Sequence, residues 1–548
     1  MVTDFTQKTK DLIDNLKGTC ASYGLGNDGN ESKIITQVFL YKFMNDKFGF
    51  ELRQIDERFT RVTSWERVVS ELSDENFRKI SLKLSPNTAK LKKEHLLSHL
   101  YNNQNTKNFS KLFDATLIDI SISNASIFSV STASNSKIVL FDELSQFVSD
   151  QAQRDDFCRA IINQLVNFSF EEIFTQKFDF FSTIFEYLIK DYNKDGGGKY
   201  AEYYTPHAVS KIMAKILVDS PQQNVTVYDP SAGSGTLLMN VAHEIGETKC
   251  TIYSQDISQK SSGMLRLNLI LNNLVHSIPN VYQGNTLKDP AHRDGKNLKK
   301  FDFIVSNPPF KLDFSEFRDD LDVPSNGERF FAGIPSIPKL KKDSMSIFLL
   351  FIQHIVFSLS DNGKAAIVVP TGFLSAKDAI SIKIRSTLVN SKTLRGIVTM
   401  PSNIFATTGT SVSIIFIDKS KKRTEALFVD ASNLGSTVKE GRNQKTVLDI
   451  SEEDLIIETF NDSTQISKFS VLVSYKEIEE YGFSFNPGQF FEMTTDDIQL
   501  TPEEFRLTTT KMKNELSLLL KDKLNLEKDL VESIDKLILK NESKQLKK

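Results

Sequence analysis

Between Asn224 and Lys419 the chain alternates between two kinds of segment, and this alternation restricts its fold more than any other feature. Short runs rich in β-branched and aromatic residues lie at Val225–Tyr228, Cys250–Ser254, Val281–Gln283, Phe301–Val305 and Ala365–Val369. Helix-length stretches separate them. Such spacing predicts a mostly parallel sheet with helices on both faces, an α/β architecture. Two further runs, Gly396–Thr399 and Val412–Ile417, lie closer together. They are expected to pair antiparallel at the edge, for seven strands in all.

The flanks differ in character. Residues 1–165 read as a helical domain: Phe5, Leu12, Ile13 and Leu16 fall on one helical stripe, and Ile34 to Phe50 is a second apolar-rich segment. The polar patch Ser121 to Ser136 reads as a loop or short strands. The α/β domain is bounded at 166–425. It opens with an expected helix from Phe170 to Tyr192, which ends at the flexible break Asp195-Gly196-Gly197-Gly198. A mixed extension, 426–500, contains one more strand candidate at Ala426–Val429. The tail, 501–548, reads as a long helix with Leu526, Leu530, Ile534 and Leu537 on one face. That stripe serves either packing on its own domain or pairing with a partner protein.

Composition narrows the class of protein. With 40% hydrophobic and 25% charged residues, 548 residues are ample for a large core. No run of about 18 apolar residues indicates a membrane span, and the N-terminus lacks the apolar stretch of a secretory signal. Three scattered cysteines, Cys20, Cys158 and Cys250, fit reduced thiols in a cytoplasmic setting and make a zinc or disulfide framework unexpected. The net charge of −3 is not the basic excess of a protein that grips nucleic acid alone. Either nucleic acid is not bound, or basic residues gather on one face, or a partner supplies the grip.

The first strand runs into Asp229-Pro230-Ser231-Ala232-Gly233-Ser234-Gly235-Thr236 and then a helix. A small-residue turn there lets a ligand approach the backbone. It lacks the lysine of a phosphate-binding loop. Asp229 disfavours pyrophosphate and suits a ligand with a cationic end. Asp256, closing the second strand, is placed to accept hydrogen bonds from ribose hydroxyls. A nucleoside with an ammonium-bearing end describes S-adenosyl-L-methionine. Upstream, Thr205 and Pro206 suit the start of a helix, and Tyr203, Tyr204 and Thr205 are positioned to close over the methionine end.

The fourth strand ends in Ser306-Asn307-Pro308-Pro309-Phe310. Two prolines stop the strand and stiffen the backbone beyond it. The exocyclic nitrogen of adenine is a poor nucleophile because its lone pair is delocalised into the ring. Two fixed acceptors, the Asn307 side-chain oxygen and the Pro308 carbonyl, favour a tetrahedral, nucleophilic nitrogen and stabilise the charge it develops. Phe310 offers a flat face for a base taken out of its stack.

Taken together, Asp229–Gly235 and Asn307–Phe310 resemble the amino-methylating DNA methyltransferases. More narrowly, the chain resembles the modification subunit of type I restriction-modification enzymes. The added likeness lies in Ala201-Glu202-Tyr203-Tyr204-Thr205-Pro206, in Val369-Pro370-Thr371-Gly372-Phe373-Leu374 and in Pro401–Thr410. The resemblance implies a Rossmann-like S-adenosylmethionine-dependent methyltransferase core with a helical N-terminal domain and a long C-terminal helix. It implies N6-methyladenine in double-stranded DNA as product. It also implies a DNA-specificity subunit and a second copy of the modification subunit as partners, with a restriction subunit able to join. One departure stands at Gly284-Asn285-Thr286-Leu287. An Asp commonly occupies the second position there and contacts the cofactor's adenine amino group, and the Asn285 carbonyl can accept that bond without charge. Two other readings remain open: methylation of protein glutamine or RNA amino groups, and a non-catalytic scaffold that keeps the fold.

Overall fold

The computed structural model describes residues 2–26, 29–60, 64–132, 137–174, 205–405, 411–440, 443–491 and 501–545. The expected Phe170–Tyr192 helix and its glycine break lie largely outside these residues, as do Tyr203, Tyr204 and Ala406–Thr410. The chain divides into two units, 1–491 and 492–548.

In the first unit, eleven strands form one sheet. In chain order they are β1 (Val130–Thr132), β2 (Lys137–Ile138), β3 (Val225–Asp229), β4 (Cys250–Asp256), β5 (Val281–Gln283), β6 (Phe301–Ser306), β7 (Leu359–Pro370), β8 (Leu394–Thr399), β9 (Val412–Asp418), β10 (Glu425–Asp430) and β11 (Ser470–Ser474). Their order across the sheet is β11-β10-β8-β9-β7-β6-β3-β4-β5-β1-β2. Every pairing from β7 through β6, β3 and β4 to β5 is parallel, as the helix-length spacers require.

The seven expected strands are present and adjacent, but the sheet is wider than seven. The pair β8/β9 is antiparallel as expected, yet it is not at the edge. β9 inserts between β7 and β8, and β10 continues the sheet parallel to β8. All seven residues of β9 are buried, which an edge position would not allow. On the far side, the patch read as loop or short strands proves partly helical. The helix Phe109–Ser123 and a short helix, Ala125–Phe128, precede β1, which joins β5 in parallel.

The N-terminal helices bury the predicted stripe: Phe5, Leu12, Ile13 and Leu16 lie in one apolar cluster with the side chains of one sheet face. Arg266, on the core helix Gln259–Leu271, donates to the carbonyls of Phe128 and Val139 at 3.3 and 3.0 Å, tying this region to the sheet. The opposite face holds a second cluster around Ile304, Ile352, Ile367 and Ile415. A third, smaller one gathers Leu287, Phe314, Phe330 and Phe351 beside the carboxyl ends of the parallel strands. The second unit contains the helix Pro502–Gln545, 44 residues long, matching the helical tail. No helix among the described residues is long and apolar enough to cross a membrane.

Candidate active site

The carboxyl ends of β3, β4, β5 and β6 open on one cavity. Its walls include Thr205, Asp229, Ser231, Ser234, Asp256, Asn285, Thr286, Asn307 and Pro309. Sheet order explains the meeting. β3 lies between β4 and β6, so loops far apart in sequence emerge side by side.

Gly233 and Gly235 both adopt left-handed backbone, with φ of +53° and +85°. At Gly235 the reason for glycine is a protein contact, not ligand approach alone. A Cβ there would stand 2.2 Å from Leu265 Cδ1 on the neighbouring helix. Gly235→Ala is expected to destabilise the chain by about 1–3 kcal/mol through strain and overpacking, read as a lower denaturation midpoint.

The two acids hold the loops together. Asp256 Oδ2 accepts from Gly233 N at 2.9 Å and Oδ1 from Ser258 N at 2.8 Å. Each oxygen keeps a further lone pair, so the carboxylate still has room for two ligand hydroxyls. Asp229 Oδ1 accepts from Ser231 N at 2.9 Å, and the Ser231 hydroxyl lies 2.7 Å from that of Ser306, bridging the β3 and β6 loops. Burial, reinforced by the neighbouring Asp256, pushes the Asp229 carboxyl up to about 8. Burial raises Asp256 as well, opposed by its two backbone hydrogen bonds. Among the described residues no Lys or Arg lines this cavity beside the two buried carboxyls, and a cationic ligand there favours their charged forms.

Thr205 does not cap its helix. The helix spans His207–Leu217, with Pro206 at its cap and no side-chain cap bond. Instead the Thr205 hydroxyl accepts from Asn307 Nδ2 at 3.2 Å. This occupies the amide nitrogen and leaves Asn307 Oδ1 as the free acceptor. Pro308 is buried, Asn307 and Pro309 are half-buried. Phe310 is not among the cavity walls. Its ring meets Phe348 edge-on at 6.3 Å between centroids, next to the crevice.

Asn285 lines the cavity, but its Oδ1 accepts from the backbone of Leu287 at 3.0 Å and Lys288 at 3.2 Å. The carbonyl that the sequence offered to an adenine amino group is therefore engaged in a turn, and the amide nitrogen is what remains for a ligand. Thr286 donates its hydroxyl to the Pro230 carbonyl at 2.6 Å.

Sequence reasoning missed Arg329. Buried, it donates to the carbonyls of Leu287 (2.8 Å) and Thr286 (2.9 Å), and its Nε donates to His354 Nδ1 at 3.0 Å. Burial holds His354 neutral, so its Nε2 carries the proton toward the Tyr228 hydroxyl, 3.2 Å away. This network fixes the loop after β5. No local pattern announces an arginine some forty positions downstream. Leu312, Phe317 and Phe351, which close the cavity's apolar side, were missed for the same reason.

Comparison with known proteins agrees with this geometry. The sequence model of the N-6 DNA methylase family matches residues 176–498. The chain is similar to the type I restriction enzyme MpnII methylase subunit of Mycoplasma pneumoniae, at 26% identity over 358 residues, 63% of each chain. It is also similar to the MjaIX methylase subunit of Methanocaldococcus jannaschii, at 24% identity over 391 residues, 69% of this chain and 66% of that one. The chain thus spans slightly less than two thirds of the length of these two relatives. Among solved structures, the methyltransferase subunit of a type I restriction-modification system from Streptococcus thermophilus shares the fold. Its TM-score is 0.70 at 21% identity, covering 88% of this chain and 99% of that one. With well over half its length matched, and with the strand order and loop geometry described above, the chain belongs to the N-6 DNA methylase family.

Proposed function

We propose that this chain transfers a methyl group from S-adenosyl-L-methionine to the N6 amino group of adenine in double-stranded DNA. In this reading it is the modification subunit of a type I restriction-modification complex. The observation that carries the proposal is the shared cavity: Asn307 stands on the same crevice as Asp229 and Asp256.

The donor set fits the cofactor. Asp229 suits an ammonium group and Asp256 a pair of ribose hydroxyls. Ser231, Gly233, Ser234 and Gly235 form the turn beneath, and Asn285 and Thr286 lie at the adenine end. Thr205 faces the methionine end, where Tyr203 and Tyr204 also belong. The bound cofactor supplies an electrophilic methyl group. Asn307 Oδ1 and the Pro308 carbonyl accept the hydrogens of the target amino group, and Phe310 provides the face on which an extruded base stacks. With its nitrogen donating to the Thr205 hydroxyl, the Asn307 amide presents its oxygen, not its nitrogen, to the substrate. The reverse orientation would set donor against donor.

The partners follow from the same reading: duplex DNA, a DNA-specificity subunit and a second copy of this chain, with a restriction subunit able to join. The helix Pro502–Gln545 carries Met512, Leu516, Leu519, Leu526 and Leu530 at spacings of three, four and seven. Such a stripe suits a bundle with partner helices.

The test is a methyl-transfer assay on duplex DNA with labelled cofactor, run with the chain alone and with a DNA-specificity subunit from the same host. The expected result is N6-methyladenine at one defined sequence with the pair, and at most a trace with the chain alone. Methylated protein glutamine or RNA in place of DNA adenine would overturn the activity. Efficient, sequence-specific methylation by the chain alone would overturn the division of labour.

A further inference from the structure

Between the Asn-Pro-Pro-Phe corner and the helix Phe348–Ser358, the chain makes a surface turn, Lys339-Leu340-Lys341-Lys342, with an apolar residue at its tip. Leu340 is 82% exposed. Lys341 sits in the left-handed region at φ +57°, a conformation that costs a non-glycine residue about 1–2 kcal/mol. The turn is nevertheless well held. The Lys341 carbonyl accepts from both the backbone N and the hydroxyl of Ser344, at 2.9 and 2.7 Å. Leu312 N donates to the Met345 carbonyl at 3.1 Å, which ties the turn to the chain two residues beyond Phe310.

Cations outnumber acids in this turn, where Lys339, Lys341 and Lys342 stand against the single exposed Asp343. The acids nearer the corner are engaged. Asp319 and Asp322 pair with Arg318 at 3.1 and 2.6 Å, Asp320 pairs with Lys288 at 3.0 Å, and Asp313 accepts from Ser315 N at 2.9 Å. Among the described residues, Lys339, Lys341 and Lys342 have no carboxylate at ion-pairing distance, and Lys342 acts on Asp313 only from further away. The turn is therefore an apolar tip flanked by three lysines and one acid, a local excess of two positive charges on a chain whose net charge is −3.

We infer that this turn is a wedge for duplex DNA, with its lysines on backbone phosphates and Leu340 entering the duplex beside the base pair whose adenine moves to Asn307. The inference rests on the activity proposed above. Duplex DNA offers both partners the turn lacks: phosphate charge at the rim and apolar base faces within. A side chain entering the stack offsets part of the cost of removing a base from it. A lipid surface also offers anions, but it is gripped by an extended apolar face, and this turn carries a single apolar tip.

The test uses the complex assembled with its DNA-specificity subunit and a duplex with 2-aminopurine at the target adenine. Leu340→Ala is expected to reduce the fluorescence of the extruded base and to slow methylation of matched duplex by about ten-fold or more. Rates should recover on DNA mismatched at the target, where extrusion costs less. The combined Lys339→Gln, Lys341→Gln and Lys342→Gln variant is expected to lower the slope of log Kd against log salt by about 2–3, with extrusion retained at saturating protein. Equal loss by Leu340→Ala on matched and mismatched DNA would overturn the wedge, as would variants that match the wild type. Binding of the turn to anionic vesicles with no change in DNA handling would overturn it in favour of a membrane. A wild-type complex that methylates no adenine would overturn the proposed activity, and the wedge with it.

Discussion

Asn307→Ala is expected to lower methyl transfer by about a hundred- to a thousand-fold, the usual loss when one preorganised partner of a developing charge is removed. The Asn307 side chain is half-buried on the cavity, and its amide nitrogen is held by Thr205 at 3.2 Å. Only Oδ1 remains to accept from a substrate amino group, and alanine removes it. The cofactor contacts assigned to Asp229, Asp256 and the glycine turn involve other atoms. Cofactor affinity, measured by calorimetry, should therefore stay within about three-fold of the wild type, under ~1 kcal/mol. Asn307→Asp is a second probe of similar size, keeping an acceptor but adding charge next to Asp229. Cofactor affinity falling as steeply as the rate in the alanine variant would mean that Asn307 shapes the pocket and not the reaction.

The second large effect belongs to Asp229. Its carboxyl is driven up to about 8, first by burial and then by Asp256. In the cofactor-free chain at pH 7 this group is therefore mostly protonated. An ammonium group beside it favours the carboxylate, so binding releases a proton. Affinity should rise with pH by up to about ten-fold per unit from pH 6 toward 8, then fall again as the ligand's own ammonium gives up its proton. Calorimetry in buffers of different ionisation enthalpy reads the released proton directly. Asp229→Asn should abolish this rise and weaken binding at pH 8 by about a hundred-fold or more, in keeping with the loss of one partner of a buried ion pair.

Stability moves the other way. The folded-state value lies above the unfolded one, near 3.8, so between these values the folded chain holds a proton that the unfolded chain has lost. The number of protons bound is larger in the native state, and stability falls as pH rises through that window. Asp229→Asn removes this slope. Without cofactor, the variant should gain melting temperature relative to the wild type on going from pH 5.5 to 8. A constant difference between the two proteins at both pH values would rule out the buried acid as the cause.

Such a trade-off is legible only once the site is assembled. The residue types were readable in one dimension. A β-branched run, a small-residue turn and a helix must follow one another locally, and so must a strand that halts at two prolines. Apolar periodicity is a local signal, so the parallel core and the stripe of Phe5, Leu12, Ile13 and Leu16 were visible in the order of residues. The insertion of β9 between β7 and β8, and the arrival of β1 beside β5, were not. Strand order depends on which apolar faces bury each other, and no local pattern encodes that.

Unaided, then, the order of residues determined the elements, the two acids at strand ends and the Asn-Pro-Pro-Phe corner. Tertiary structure alone decided that the corner and the acids share one crevice, that Thr205 holds the Asn307 amide instead of capping a helix, and that Arg329 braces the loop carrying Asn285 and Thr286. The physical reason is range. Backbone hydrogen bonding and side-chain alternation act over a few residues, whereas a hydrogen bond between positions 205 and 307 exists only after the sheet has brought its loops together.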